Sequence, residues 1–278
     1  METIRVSQSE VSTYNSCNKK FVYSHVDKLE PLRQAEHLSV GTLGHYYIEQ
    51  LLKGHSKQEA IELTVMKDPV LFSQIGQQLS YWTDNFWAKL APRVDVIATE
   101  VTEYLKIGVI TSADGTDYVV EFPFTIDAVL QTKKTQQVAV WDHKFVGQFY
   151  DDKLLALAKQ MRLYAYAYGK IHPDLKPTRA FYNMINTKNK NKNVHKFAEI
   201  DISNSQMLET MFNEQVSAAI ELAKIKADNL RGQRHAADPF TCKWCPFLEL
   251  CTEEIKGAPI QDLRNILKTN FRKNSYGY

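Results

Sequence analysis

Two carboxylates and a lysine near the middle of the chain have the types and the spacing of a site that could bind a divalent metal ion. They lie in FTIDAVL and VAVWDHK, two predicted strands joined by a QTKKT turn. Because alternate side chains of a strand share a face, Asp142 and Lys144 project together while His143 projects to the other face. Pairing of the strands brings Asp127 beside Asp142, which offers a hard cation two carboxylates. Lys144 would stabilise developing charge or orient the attacking water.

The D-x-K pattern alone is weak evidence, because such tripeptides are common on solvated strands. The alternative is an ordinary hairpin with exposed charges. Two further patterns have helical spacing: G-x-x-x-H from Gly41 to His45 before the strands, and Q-x-x-x-Y from Gln160 to Tyr164 after them. Taken singly, His45 has the simpler interpretation of a hydrogen-bonded helix histidine, and Gln160 with Tyr164 that of an i,i+4 pair.

The elements that must position these residues alternate between helical and extended patterns. Within residues 7–23, a capping box of Ser7 and Glu10 predicts a short helix that carries Tyr14 and Cys17, which places Cys17 at or near a helix end. Helices are also predicted for residues 39–53, for about 57–90, as a single helix from Asp151 or Asp152 to near Gly169, and for about 203–230. Strands are predicted between Val94 and Val146, in RAFYNMINT and in KFAEIDI. This order predicts an α/β protein with a mixed sheet.

Taken in order, these motifs resemble the PD-(D/E)XK nuclease superfamily, specifically its RecB-like branch, which includes the CRISPR-associated adaptation nucleases and the AddB nuclease domain. The resemblance implies a restriction-endonuclease-like α/β core, with a central mixed sheet flanked by helices. It also implies roles for particular residues: Asp127, Asp142 and Lys144 in catalysis, His45 and the His143 backbone carbonyl as further metal ligands, and Gln160 and Tyr164 lining the site and contacting DNA. Many relatives carry Glu where Asp142 stands, and both acids bind magnesium. Glu100 could supply a further acidic group.

The cysteines indicate a second metal site. Cys242, Cys245 and Cys251 form C-x2-C-x5-C, and Cys17 is the only other cysteine. From spacing alone, zinc, an iron-sulfur cluster and simple buried thiols all remain open. The resemblance implies a [4Fe-4S] cluster held by all four, which would join the N- and C-terminal segments. An apolar shell is predicted from the flanking residues Phe240, Trp244, Pro246 and Phe247.

Composition restricts how the chain could bind DNA. The 34 Lys+Arg and 32 Asp+Glu leave a net charge of +2, too small for binding through bulk electrostatics. DNA contact would need local patches, and the candidates, which could equally be solvated charges, are Lys188, Lys190, Lys192 and Lys196, and then Arg264, Lys268, Arg272 and Lys273. No apolar stretch is long enough to cross a bilayer and METIRVSQSE has no signal-peptide pattern, so we expect a cytoplasmic protein with no membrane partner.

We therefore predict a single nuclease domain over residues 1–278, with a helical part at about 1–93, a catalytic core at about 94–200, and a C-terminal helix and cysteine segment at about 201–278. The predicted activity is that of a Mg²⁺- or Mn²⁺-dependent deoxyribonuclease, an exonuclease acting on single strands or duplex ends. The alternatives are a catalytically silent DNA-binding scaffold of a recombination or repair complex, and a zinc-stabilised protein unrelated to nucleases. No G-x-x-x-x-G-K-[ST] motif is present, so motor activity would need a helicase, recombinase or other DNA-processing partner. Homo-oligomerisation is neither predicted nor excluded.

Overall fold

A computed structural model describes residues 1–32, 36–189, 193–232 and 238–273. The chain forms two compact units, which we call the terminal unit (Met1–Gln34, Tyr104–Pro123 and Asn213–Tyr278) and the central unit (Ala35–Glu103 and Phe124–Phe212). The assignment of one nuclease domain to the whole chain stays a prediction. Within the described ranges, no helix has the length and apolar character needed to span a membrane.

The elements are numbered in chain order. The helices are α1 (Gln8–Ser16), α2 (Asn18–Phe21), α3 (Glu36–Leu52), α4 (Lys57–Lys67), α5 (Pro69–Trp82), α6 (Ala88–Leu90), α7 (Asp152–Ala156), α8 (Gln160–Ile171), α9 (Ser205–Ala227), α10 (Pro239–Lys243), α11 (Leu248–Ile255) and α12 (Ile260–Asn270). Single π-helical turns follow α2 and α5, at Val22–Val26 and Thr83–Trp87. The strands are β1 (Glu2–Arg5), β2 (Leu29–Pro31), β3 (Val94–Thr111), β4 (Asp117–Thr132), β5 (Val138–Val146), β6 (Arg179–Asn186), β7 (His195–Ile200) and β8 (Phe271–Lys273).

The central unit contains the sheet that carries the predicted site residues. Strands β4, β5, β6 and β7 are hydrogen-bonded in that order, antiparallel for β4–β5 and β6–β7 and parallel for β5–β6. The parallel pair needs a crossover, which α7 and α8 supply between β5 and β6. The predicted α/β fold, with a central mixed sheet flanked by helices, is confirmed.

One predicted helix is wrong in its extent. The segment expected to form a single helix ending near Gly169 forms two, α7 and α8, and α8 continues through Gly169 to Ile171. The N-cap was predicted correctly, because the Asp151 side chain accepts a hydrogen bond from Lys153 N. Pro173, rather than the glycine, ends the helix, because proline disfavours helical backbone in the residue before it.

The core of the central unit lies between the sheet and the helices α3, α4 and α5. Its largest fully buried side chains include Tyr47, Leu79 and Trp82, which pack with Trp141 and Ile185 of the sheet. The helical patterns predicted for residues 39–53 and 57–90 are confirmed, although Thr83–Trp87 is a π-helical turn. This packing fixes α3 against β5, the strand that carries Asp142 and Lys144.

The terminal unit has its own core. Strand β1 pairs in parallel with the first half of β4, and the predicted capping box of Ser7 and Glu10 at the start of α1 is confirmed. A second apolar cluster, against which Cys245 and Cys251 pack, consists of Tyr23, Leu29, Phe247, Leu250 and Phe271. The N-terminal and C-terminal segments of the chain therefore share one packed region within this unit.

Candidate active site and cysteine site

The pairing of β4 with β5 brings the two core carboxylates together. The register pairs Ala128 with Trp141, so the next step of the antiparallel ladder places Asp127 opposite Asp142. Both residues are buried, with 8% and 6% of their surface exposed. Two carboxylates close together in a buried site repel one another, and a divalent cation would relieve that repulsion.

Lys144 and Gln160 surround Asp142. The Lys144 ammonium lies 3.0 Å from Oδ1 and 2.8 Å from Oδ2 of the carboxylate. Gln160, at the start of α8, donates from Nε2 to Asp142 Oδ1 at 3.1 Å, and its Oε1 accepts from Lys144 Nζ at 3.3 Å. Tyr164, one turn further along α8, packs on Phe124 of β4. Three of the predicted site residues, Asp142, Lys144 and Gln160, therefore form one hydrogen-bonded group, and Tyr164 lies on the same helix as Gln160.

His45, Glu100 and Asp127 form a second group beside the first. His45 Nδ1 lies 3.4 Å from Glu100 Oε1 and 3.4 Å from Asp127 Oδ2. One ligand atom from each of the three falls within 4.8 Å of the other two, and they are the only His, Cys, Asp or Glu residues in the described ranges with this arrangement. This set of one nitrogen and two oxygens suits a divalent cation.

Glu100 enters this group through an unusual backbone conformation. Its φ of 48° lies in the left-handed region, which costs a residue other than glycine roughly 1 kcal/mol or more. A left-handed residue inside a strand redirects its side chain, and here the strand is β3. The sequence predicts Glu100 only as a further acidic group, because strand alternation cannot reveal such a change of direction.

The two carboxylates are buried, and the charges of His45 and Lys144 offset only part of the cost of ionising them. Burial, followed by the charge of Asp142, raises the pKa of Asp127 to about 7, and burial likewise raises the pKa of Asp142. Burial lowers the pKa of His45, but the hydrogen bond to Glu100 and the charge of Asp127 outweigh it and raise the pKa overall. For Lys144, burial is outweighed by Asp142, so its pKa is raised and it remains a cation.

His143 contributes its backbone to this site and its ring to the core. The backbone N–H donates to Asp127 Oδ2 at 2.5 Å, a charge-assisted hydrogen bond that holds this carboxylate. The imidazole is 2% exposed and its Nδ1 lies 2.8 Å from Asn183 Nδ2. The proposed role of the His143 carbonyl as a metal ligand stays a prediction.

A glycine sets the approach of α3 to β5. A Cβ on Gly44 would lie 2.2 Å from Cζ of the Phe145 ring, so no side chain fits there without a shift. Gly41, the first residue of the G-x-x-x-H pattern, has open space around its Cα. Gly44, rather than Gly41, is therefore the glycine that lets α3 lie close to the sheet.

All four cysteines line one cavity of the terminal unit. Its other lining residues are Lys20, Tyr23, Phe247 and Leu248. Cys17 caps the start of α2, as the sequence predicted for a helix end, and no disulfide joins the four cysteines. Burial, followed by the charge of Cys17, raises the pKa of Cys251 to about 11. No three of the sulfurs lie within 4.8 Å of one another.

The predicted apolar shell of the cysteines is mostly wrong. Phe247 is buried against Tyr23, but Phe240 and Trp244 are 84% and 81% exposed, and Pro246 is also exposed. The short helix α10 leaves both large aromatic side chains outside the core, whereas Phe247 joins the cluster of the terminal unit.

The basic patches predicted for DNA contact are only partly described. Lys190 and Lys192 lie outside the described residues, as does the side chain of Lys273. Lys196 is ion-paired with Asp152 at 2.7 Å, and Arg272 with Glu30 at 3.1 Å. These two cations already have local carboxylate partners.

The comparisons with known proteins agree with this architecture. A protein from Eubacterium rectale whose crystal structure is described as "Putative exonuclease" is 10% identical, has a TM-score of 0.52, and is matched over 87% of this chain and 86% of that chain. A solved structure described as "Crystal structure of SSO0001" is 14% identical over 75% of this chain and 84% of that one, but its TM-score of 0.33 supports no inference. No curated protein matches the sequence significantly.

The likeness to the Eubacterium rectale structure shows the fold alone at this level of identity. The stronger evidence comes from the sequence itself, because the profile of one nuclease superfamily matches residues 5–252. That span contains the residues grouped around Asp142, the group of His45, Glu100 and Asp127, and all four cysteines. The chain therefore belongs to the PD-(D/E)XK nuclease superfamily.

Proposed function

We propose that the protein is a divalent-metal-dependent deoxyribonuclease, and specifically an exonuclease that acts on single strands or duplex ends. One observation carries the proposal: the group of His45, Glu100 and Asp127 lies beside the ion pair of Asp142 and Lys144. A metal-binding set next to a fixed cation is the combination that phosphodiester hydrolysis requires.

In this proposal Asp127, Asp142, His45 and the His143 carbonyl hold Mg²⁺ or Mn²⁺, and Glu100 is a further ligand. The bound metal would polarise a phosphoryl oxygen and lower the pKa of a coordinated water. Because Asp142 keeps Lys144 protonated, the lysine acts as a hydrogen-bond donor to the developing charge and not as a general base. Gln160 orients Lys144 and Asp142, and Tyr164 on the same helix face positions the DNA strand.

We further propose that Cys17, Cys242, Cys245 and Cys251 bind a [4Fe-4S] cluster, as in the RecB-like branch. The four thiols line one cavity, which supports a shared inorganic group, and zinc is the alternative to the cluster. Anaerobic protein should then be brown, with iron and sulfide at about four each per chain. A colourless protein with one zinc would contradict this assignment.

The activity test uses end-labelled linear DNA and closed circular DNA with Mn²⁺, comparing the wild type with Lys144→Ala. The matched control is Lys133→Ala, a lysine of the same hairpin that is ion-paired with Asp95 at the surface. We expect the wild type and Lys133→Ala to degrade linear DNA and Lys144→Ala to lose that activity. Equal cutting of circles would indicate an endonuclease. DNA binding without cutting by any variant would favour the silent scaffold, with a helicase or recombinase as the active partner.

A further inference from the structure

A series of hydrogen bonds in the central unit is centred on Asn183 and reaches the proposed metal ligand Asp127 through His143. Asn183 of β6 is fully buried and is the register partner of His143 on β5. Its amide contacts His143, Trp82 and His195. Burying an amide costs free energy unless its groups are hydrogen-bonded, and an apolar side chain would avoid that cost. The amide therefore suggests a role other than filling space.

The direction of the Asn183 amide follows from Trp82. An indole Nε1 can only donate, so the Asn183 atom 2.9 Å from it must be the carbonyl Oδ1. The same Oδ1 lies 2.7 Å from His195 Nε2, which must also donate. The other end of the amide, Nδ2, then faces His143 Nδ1 at 2.8 Å.

The protonation of His143 follows in turn. Because the amide nitrogen donates, His143 Nδ1 must accept, and a neutral imidazole then carries its proton on Nε2. The backbone N–H of the same residue donates to Asp127 Oδ2 at 2.5 Å. The ring and the peptide of His143 are thus held from opposite sides, by Asn183 and by Asp127.

We infer that Asn183, oriented by Trp82, is a positioning residue that locks His143 in its Nε2–H tautomer and so fixes the peptide that holds Asp127. The benefit to metal binding rests on the proposed function, because it assumes that Asp127 is a metal ligand. The series of hydrogen bonds itself does not depend on that assumption. Groups that orient metal ligands from behind are commonly worth about tenfold or more in metal affinity.

Three variants test the inference. Trp82→Phe removes the indole donor while keeping an aromatic ring, and Asn183→Asp presents an oxygen to His143 Nδ1, which can then no longer accept. The matched control is Gln78→Leu. It deletes a buried side-chain amide on α5 that donates to the Thr187 carbonyl and takes no part in the hydrogen bonds around Asn183. Loss of stability alone would affect the control as much as the other two variants.

The first readout is NMR of metal-free protein labelled with ¹⁵N-histidine, which reports the tautomer of His143 and its backbone amide proton. We expect the Nε2–H tautomer and a downfield amide proton in the wild type and in Gln78→Leu. Asn183→Asp should move the ring proton to Nδ1, Trp82→Phe should give a mixture, and both should shift the amide upfield. An Nδ1–H tautomer in the wild type, or an amide proton unaffected by Asn183→Asp, would overturn the inference.

The second readout is Mn²⁺ affinity measured by titration calorimetry without DNA. We expect Asn183→Asp and Trp82→Phe to bind Mn²⁺ about tenfold more weakly than the wild type and Gln78→Leu. Equal affinity in all four proteins would contradict the positioning role. A wild type that binds no Mn²⁺ would instead refute the proposed function, and the NMR result would then decide alone whether Asn183 positions the Asp127 peptide.

Discussion

The carboxylate site of the central unit and the cysteine site of the terminal unit are assembled in opposite ways. Asp127 and Asp142 stand on paired strands, so the register of the sheet holds them together whether or not an ion is bound. The cysteines lie on or between short helices: Cys17 between α1 and α2, Cys242 on the five-residue α10, Cys245 between α10 and α11, and Cys251 on α11. One site is organised by the fold, whereas the other would be organised by what it binds.

The two sites also differ in how they offset the burial of like charges. Lys144 and His45 compensate part of the repulsion between the carboxylates. Among the cysteines, burial raises the pKa of Cys245, and the backbone hydrogen bond from Phe247 and the charge of Lys20 offset only part of that rise. Ion removal should therefore leave the carboxylate site folded and inactive, and should weaken the fold around the cysteines.

The largest effect that we expect is the loss of catalysis when the carboxylate site is altered. Asp142→Asn keeps the shape of the side chain but removes the charge that would bind metal and that pairs with Lys144. We expect the cleavage rate to fall by about a thousandfold or more while the thermal midpoint does not decrease. Single-turnover cleavage and a melting curve measure the two quantities. A variant that unfolds would show that the carboxylate site is needed for the fold.

Cys245→Ser should give the reverse result. Loss of one thiolate should release the proposed cluster and lower the melting temperature by roughly 10 °C, because the cluster would tie the ends of the terminal unit together. Below the melting transition, cleavage should remain within a few-fold of the wild type. Cys245→Ser melting like the wild type would remove the distinction between the two sites.

A smaller effect concerns pH. The folded pKa of Asp127, about 7, lies above its ordinary value of 3.8. Ionisation therefore opposes folding, and without metal this group should make the protein less stable as the pH rises from about 4 to 7. Asp127→Asn should lose that dependence and melt higher at pH 8 in EDTA, whereas saturating Mn²⁺ should remove the difference or reverse it. Identical melting profiles from pH 4 to 8 would contradict this prediction.

The smallest effect tests the strain at Glu100. Glu100→Gly relieves the left-handed backbone conformation and should raise the free energy of unfolding by about 0.5–1 kcal/mol, measured by urea denaturation. The same variant should bind Mn²⁺ more weakly, because a proposed ligand is lost. A variant with unchanged stability would indicate that the conformation carries no strain.

The sequence predicted the parts of these sites that depend on periodicity. Strand alternation and the hairpin turn are enough to bring Asp127 to Asp142, and helical spacing is enough to put His45 and Gln160 on helices. It could not predict the redirection of Glu100, because a single left-handed residue breaks the alternation on which the reasoning depends. Nor could it predict the exposure of Trp244 beside the cysteines, because neighbours along the chain need not be neighbours in the core.

Because residue 44 lies against the Phe145 ring, substitutions at these two positions should be coupled. Each adjoins a proposed functional residue, His45 on the helix and Lys144 on the strand, and neither offers a group that could bind metal or DNA. A methyl gained at residue 44 has no room unless ring atoms are lost at residue 145. Lineages that drift at one position should therefore drift at both, and a substitution scan would rank this chemically silent pair among its least tolerant sites.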